Sequence, residues 1–68
     1  MLLFGERIRA ARMAAGLTQR QLGLLCGYNE KSAELTVQHW EANRRDIPLE
    51  KIRIVAQVLN LKLEDLIP

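Results

Sequence analysis

The sequence has a single cysteine and a single histidine, and that scarcity excludes several classes of protein. A lone thiol, Cys26, cannot close an internal disulfide. One cysteine with one histidine cannot supply the roughly four ligands of a structural zinc site. Long apolar runs are missing as well. Nothing in the chain approaches the ~18 residues that a membrane span needs, and the apolar opening Met1-Leu2-Leu3-Phe4 is cut short by Gly5-Glu6-Arg7, too soon for a signal peptide. The expectation is therefore a cytoplasmic protein with no membrane partner. Strand-like alternation, internal repeats, linkers and low-complexity segments do not occur. Nor do paired carboxylates suited to a cleft, a nucleophile–base pair or a phosphate loop, so no catalytic site, metal or cofactor is expected.

What is there is short and apolar. Sixty-eight residues allow one domain, 1–68, and a chain of this size buries only roughly 60% of its unfolded surface. The 49% hydrophobic content excludes disorder. These bounds leave a few tightly packed helices, or a small unit completed by a partner. The formal net charge of +2 barely favours nucleic acid, but its distribution says more. Arg7, Arg9, Arg12 and Arg20 occupy the first third with only Glu6 opposing them, Arg44 and Arg45 stand together, and acids gather at Glu30, Glu34 and Glu64-Asp65.

Read in order, the chain gives five short helices. Phe4, Ile8 and Ala11 recur at i, i+4, i+7, the stripe of an amphipathic helix of about twelve residues that Gly16 ends. Thr18 and Gln21 form a capping box that opens the second helix. Leu22, Leu25 and Cys26 are spaced for burial there, and Gly27 stops it. Gly23 inside this helix costs roughly 1 kcal/mol relative to alanine, which the close approach of another helix would offset. Asn29 and Ser32 can both cap the third helix; a start near Ser32 after a loop is preferred to a start one turn earlier at Asn29. Asp46-Ile47-Pro48 opens the fourth helix, whose core stripe is Ile52, Val55, Ala56 and Leu59 and which Asn60 ends. Leu63, Leu66 and Ile67 suggest a last short helix.

The third helix, Leu35-Thr36-Val37-Gln38-His39-Trp40-Glu41, organises the rest. Val37 and Trp40, three apart, share a buried face. Thr36, Gln38 and His39 are read as pointing away from it, where such groups can donate to and accept from base edges without desolvating a charge. Asn43 tolerates a left-handed turn, and the cations Arg44-Arg45 follow at once.

Together, Gly16-Leu17-Thr18-Gln19-Arg20-Gln21-Leu22, Val37-Gln38-His39-Trp40-Glu41 and Ile47-Pro48-Leu49-Glu50 with Ala56 and Leu59 resemble the Cro/repressor-type helix-turn-helix family, the xenobiotic-response-element class of bacterial and phage regulators. The resemblance implies an all-α, phage-repressor-like DNA-binding fold whose third helix lies in the major groove of double-stranded DNA. It implies a phosphate contact for Gln19, outward recognition positions for Thr36, Gln38 and His39, and a phosphate contact for Arg44, with Arg45 as a second. It also implies a structural pair between Arg12 and Glu41. The segment 27–40 is about four residues longer than the family spacing, roughly one helical turn, so the connection before the recognition helix is lengthened. Leu24 and Leu25 stand where the family has charged residues and are expected to pack under that connection.

The family reads paired half-sites as two-fold dimers. Ile54 and Val58, four apart, give the fourth helix a second apolar face that Leu61 continues and Ile67 joins. Either a second copy or the terminal helix covers it. The reading is thus a sequence-specific DNA-binding regulator, a repressor acting as a homodimer on a palindromic operator. The alternative is a protein-interaction module, or an antitoxin-type protein with an unknown protein partner, that reuses the fold.

Overall fold

The computed structural model describes residues 4–66. Four α-helices follow one another, α1 (Gly5–Ala14), α2 (Gln19–Leu25), α3 (Ala33–Glu41) and α4 (Leu49–Leu59), and a three-residue 3-10 turn, Leu63–Asp65, follows them. No strand occurs among the described residues, so the class is all-α. The fifth helix expected at the C-terminal end is this single turn. Asp65 accepts the Lys62 N–H through its carboxylate at 3.1 Å while its own N–H returns to the Lys62 carbonyl at 2.9 Å. The turn is thus closed on itself and delivers Leu66 into the core instead of continuing.

All four helices end alike. The residue after the last turn is left-handed, glycine at Gly16 and Gly27 and asparagine at Asn43 (φ 59°) and Asn60 (φ 55°). The next N–H then reaches back five residues: Leu17 to Arg12, Tyr28 to Gly23, Arg44 to His39 and Leu61 to Ala56, at 2.8–3.1 Å. This pairing satisfies carbonyls that a helix end otherwise leaves orphaned. At the start of α2 the Thr18 hydroxyl accepts from the Gln21 N–H at 3.0 Å, and the Gln21 side chain accepts from the Thr18 N–H at 2.8 Å, the capping box read from the sequence.

The core gathers Ile8 from α1, Leu22 from α2, Val37 and Trp40 from α3, Ile52, Val55, Ala56 and Leu59 from α4, and Cys26 and Leu66 from the segments after α2 and α4. α2 and α3 approach each other closely. A side-chain carbon placed on Gly23 would fall on the backbone of Ala33, 2.7 Å from its Cα, so the glycine is there because the Ala33 backbone fills the space a side chain would take. The inner face of α2 is consequently Leu22 and Gly23, with Cys26 just past its end. Leu25, expected inside, is 55% exposed, and Leu24 is also exposed. Pressing the glycine side of a helix inward rolls its neighbours outward.

Neither leucine lies under the lengthened connection. That place is taken by Tyr28, whose ring meets Trp40 edge-on at 5.7 Å, with the Lys51 ammonium 5.1 Å from the tyrosine ring centre. The extra turn is built by Asn29. Its side-chain oxygen accepts from both the N–H and the hydroxyl of Ser32 at 3.1 Å, and its carbonyl accepts from Ala33 at 2.9 Å. Of the two capping candidates only Asn29 accepts a backbone N–H through its side chain. Ser32 holds the cap position of α3, and Asn29 supplies the bonds one turn earlier.

Candidate nucleic-acid interface

A helix that reads DNA must be held rigidly from behind and left open in front. The support behind α3 is polar as well as apolar. Arg12 and Glu41 are paired, Nε donating to Oε2 at 2.6 Å and Nη2 to Oε1 at 3.2 Å. Their side chains keep only 12% and 6% of their surface exposed. Arg12 also donates to the Leu17 carbonyl at 2.8 Å, and the Gln19 amide donates to Glu41 Oε1 at 3.1 Å. One carboxylate on α3 thus fastens the end of α1, the turn after it and the start of α2. A second tie links the Gly5 N–H to the Asn43 side-chain oxygen at 2.9 Å, from the first residue of α1 to the residue that ends α3. In the sequence Asn43 reads as a turn residue; its acceptor side chain just past a helix end is the clue to this second role.

Successive residues of a helix are set about 100° apart. With Ala33, Val37 and Trp40 buried, the side of α3 turned to solvent carries Glu34, Leu35, Gln38 and, just past the helix, Ala42, all exposed. This corrects the orientation read from the sequence. Gln38 does face outward, but Thr36 and His39 lie half-buried on the flank, and His39 Nδ1 is buried without a hydrogen-bond partner. Glu34 and Leu35, which sequence reading left out of the recognition set, take the outward positions. The physical reason is helix geometry: at about 100° per residue Leu35 lies almost opposite the Ala33–Val37–Trp40 face and Thr36 beside it, while His39, one turn on along that flank, is packed closely enough to bury its Nδ1.

Glu34, Gln38 and Glu41 descend this helix at i, i+4, i+7 along one wall of a shallow groove of about 710 Å³, whose other wall is Arg9, Arg12, Leu17, Thr18 and Gln19. A long contact of 3.5 Å joins Gln38 to Glu34. Gln19 is half-buried with one amide hydrogen given to Glu41; an amide has two, so one remains for a ligand. Arg9, on the rim of the groove, was not singled out in the sequence because nothing in its spacing distinguishes it from a solvated cation.

The cations divide into two sets. Arg20 is paired with Glu30, and Arg7 donates to the Asp65 carbonyl at 3.1 Å and approaches its carboxylate at 3.4 Å. Arg44 and Arg45 are exposed and take no part in an ion pair among the described residues, while their backbone N–H groups bond the His39 carbonyl. Two unpaired cations are therefore fixed at the end of the open helix.

The residues expected at a dimer surface are partly sheltered. Ile54, Val58 and Leu61 are half-buried and packed against the core. Val58 lines a cleft beside Ala11, Ala14 and Ala15 of the first helix and its end, and Leu61 lines one beside Arg7 and Ala10. The first helix approaches this face at Val58 and Leu61, and Leu63 of the terminal turn lies beside Leu61. Ile67 lies outside the described residues. Cys26 is buried, and burial pushes its thiol up to about 11 against a smaller opposing effect of Lys51. No group of three or more potential metal ligands occurs among the described residues, and no helix among them is long and apolar enough to cross a membrane.

Neither a curated protein nor a solved structure matches the chain. A family model described as helix-turn-helix does, over residues 8–66. That span runs from the first core residue of α1 to Leu66 and takes in α2, α3 and the lengthened connection between them. With a buried core behind α3, an open face before it and unpaired cations at its end, the chain belongs to the helix-turn-helix family.

Proposed function

We propose that this protein is a cytoplasmic, sequence-specific transcriptional regulator, a repressor that binds a palindromic DNA operator as a homodimer. The observation that carries the reading is the outward face of α3, where Glu34, Leu35 and Gln38 stand exposed on a helix anchored from behind by Glu41. An α-helix about 10–12 Å across with its side chains fits a major groove about 12 Å wide. Gln38 suits an adenine edge through its paired donor and acceptor. Arg44, Arg45 and the remaining Gln19 hydrogen suit phosphates, which position a protein without specifying sequence. Thr36 and His39 would reach the groove walls from the flank. The half-open surfaces of Ile54, Val58 and Leu61 would be covered by a second copy, and Ile67 would extend that contact.

Exposed Leu24, Leu25 and Leu35 favour a second reading, a module that binds a protein partner in the manner of an antitoxin. Selection of bound duplexes from a random pool separates the two. The expected result is a palindrome, bound with an affinity that falls steeply with salt. Arg44→Ala should weaken every duplex alike and lower the salt slope by about one, whereas Gln38→Ala should relax preference at one position by about 1–3 kcal/mol. Recovery of no preferred sequence, with no salt dependence, would favour the protein partner.

A further inference from the structure

The outward face of α3 contains one large side chain that cannot hydrogen-bond. Leu35 is 55% exposed, between Glu34 behind it and Gln38 one turn on, both exposed and polar. An exposed leucine is ordinary in itself; what singles out Leu35 is its place almost opposite the buried Ala33, Val37 and Trp40, among polar neighbours on the open side of α3. The edges of base pairs in the major groove present donors and acceptors, which leucine cannot engage, and one apolar feature, a methyl group on C5 of a pyrimidine.

We propose that Leu35 is a specificity-determining residue that packs on a pyrimidine 5-methyl group in the major groove, a reading that rests on α3 being the helix that enters DNA. Two bases carry this chemistry, thymine and 5-methylcytosine. The position relative to Gln38 is also set. Residues three apart on a helix hold their Cβ atoms ≈ 5–6 Å apart, and base pairs follow one another about every 3.4 Å. The methylated pyrimidine therefore lies within about two base pairs of the base that Gln38 reads.

The test uses the full chain and the duplex recovered by selection. In one arm each thymine is replaced in turn by deoxyuracil, which removes only the methyl group. In the other each cytosine is replaced by 5-methylcytosine, which adds one. At one position per half-site, either loss of the methyl should weaken binding by the wild-type protein, or its addition should tighten it, by about fourfold. The arm that responds names the base. Leu35→Ala should abolish that response. Because Leu35 is exposed the variant should keep its helical circular dichroism, and the base replacements need no variant at all. A selected sequence bound without any Leu35-dependent methyl effect in either arm would overturn the role of Leu35 and leave DNA binding standing; Leu35 would then belong to a protein-facing surface with Leu24 and Leu25. Equal binding to all duplexes would overturn both.

Discussion

The α2–α3 half of the molecule and the α4 half are stabilised in different ways. Between α2 and α3 a few placed groups carry the arrangement: the Ala33 backbone against Gly23, and one buried carboxylate, Glu41, answered by Arg12 and Gln19. Around α4 the contacts are a stripe, with Ile52, Val55, Ala56 and Leu59 buried and Ile54, Val58 and Leu61 half-covered beside them. The tie from Arg7 to Asp65 near the C-terminal end keeps 55% and 35% of its two side chains in water and contributes about 0–1 kcal/mol. A contact made by one atom group against another fixes an angle, and losing it is abrupt. A stripe tolerates small changes because each side chain is one of many. α3 is attached to the half where angles are fixed, the kind of support that a helix presenting side chains to a ligand requires.

The sharpest way to break this comparison is Arg12→Ala. It leaves Glu41 buried with only the Gln19 amide, and the loss of stability should be about 3–5 kcal/mol. Urea unfolding measures it. The pair with Glu41→Ala should lose distinctly less than the two single losses added, because both remove one contact; strictly additive losses would show that the network does not hold α3.

Gly23→Ala comes next. Its new methyl must displace the Ala33 backbone, and overpacking of this kind costs about 1–3 kcal/mol. A thermal melt that rises instead, as an alanine in an ordinary helix would give, would mean that α2 and α3 are not in close contact there.

Ile52→Val in α4 should have the smallest effect, about 0.5–1.5 kcal/mol, with an unchanged m-value in the same urea experiment. A loss as large as that of Arg12→Ala would erase the contrast between the halves and make α4 as tightly specified as α3.

Much of the architecture was legible in the residues. Glycine and asparagine marked all four helix ends, since they alone enter the left-handed region without penalty. Thr18 and Gln21 announced the start of α2, and the stripe at Ile52, Val55, Ala56 and Leu59 announced α4. Gly23 pointed to a close helix contact because a glycine in a helix needs compensation. Leu24 and Leu25 were not legible: their neighbours Leu22, Gly23 and Cys26 already fill the inner face, and a run of apolar residues does not say which of them stays out.

The sequence by itself therefore determined the helices, their ends and their buried stripes, because turn chemistry and 3.6-residue periodicity are local. Only the tertiary structure decided which groups meet across the helices. Val37 and Trp40 show that α3 has an inner face, but they do not give the angle at which it meets α2. There Gly23 meets the Ala33 backbone, Gln19 comes within hydrogen-bond reach of Glu41, and packing leaves Glu34 exposed and His39 half-buried. These meetings depend on groups far apart in the chain that come together only when the core closes.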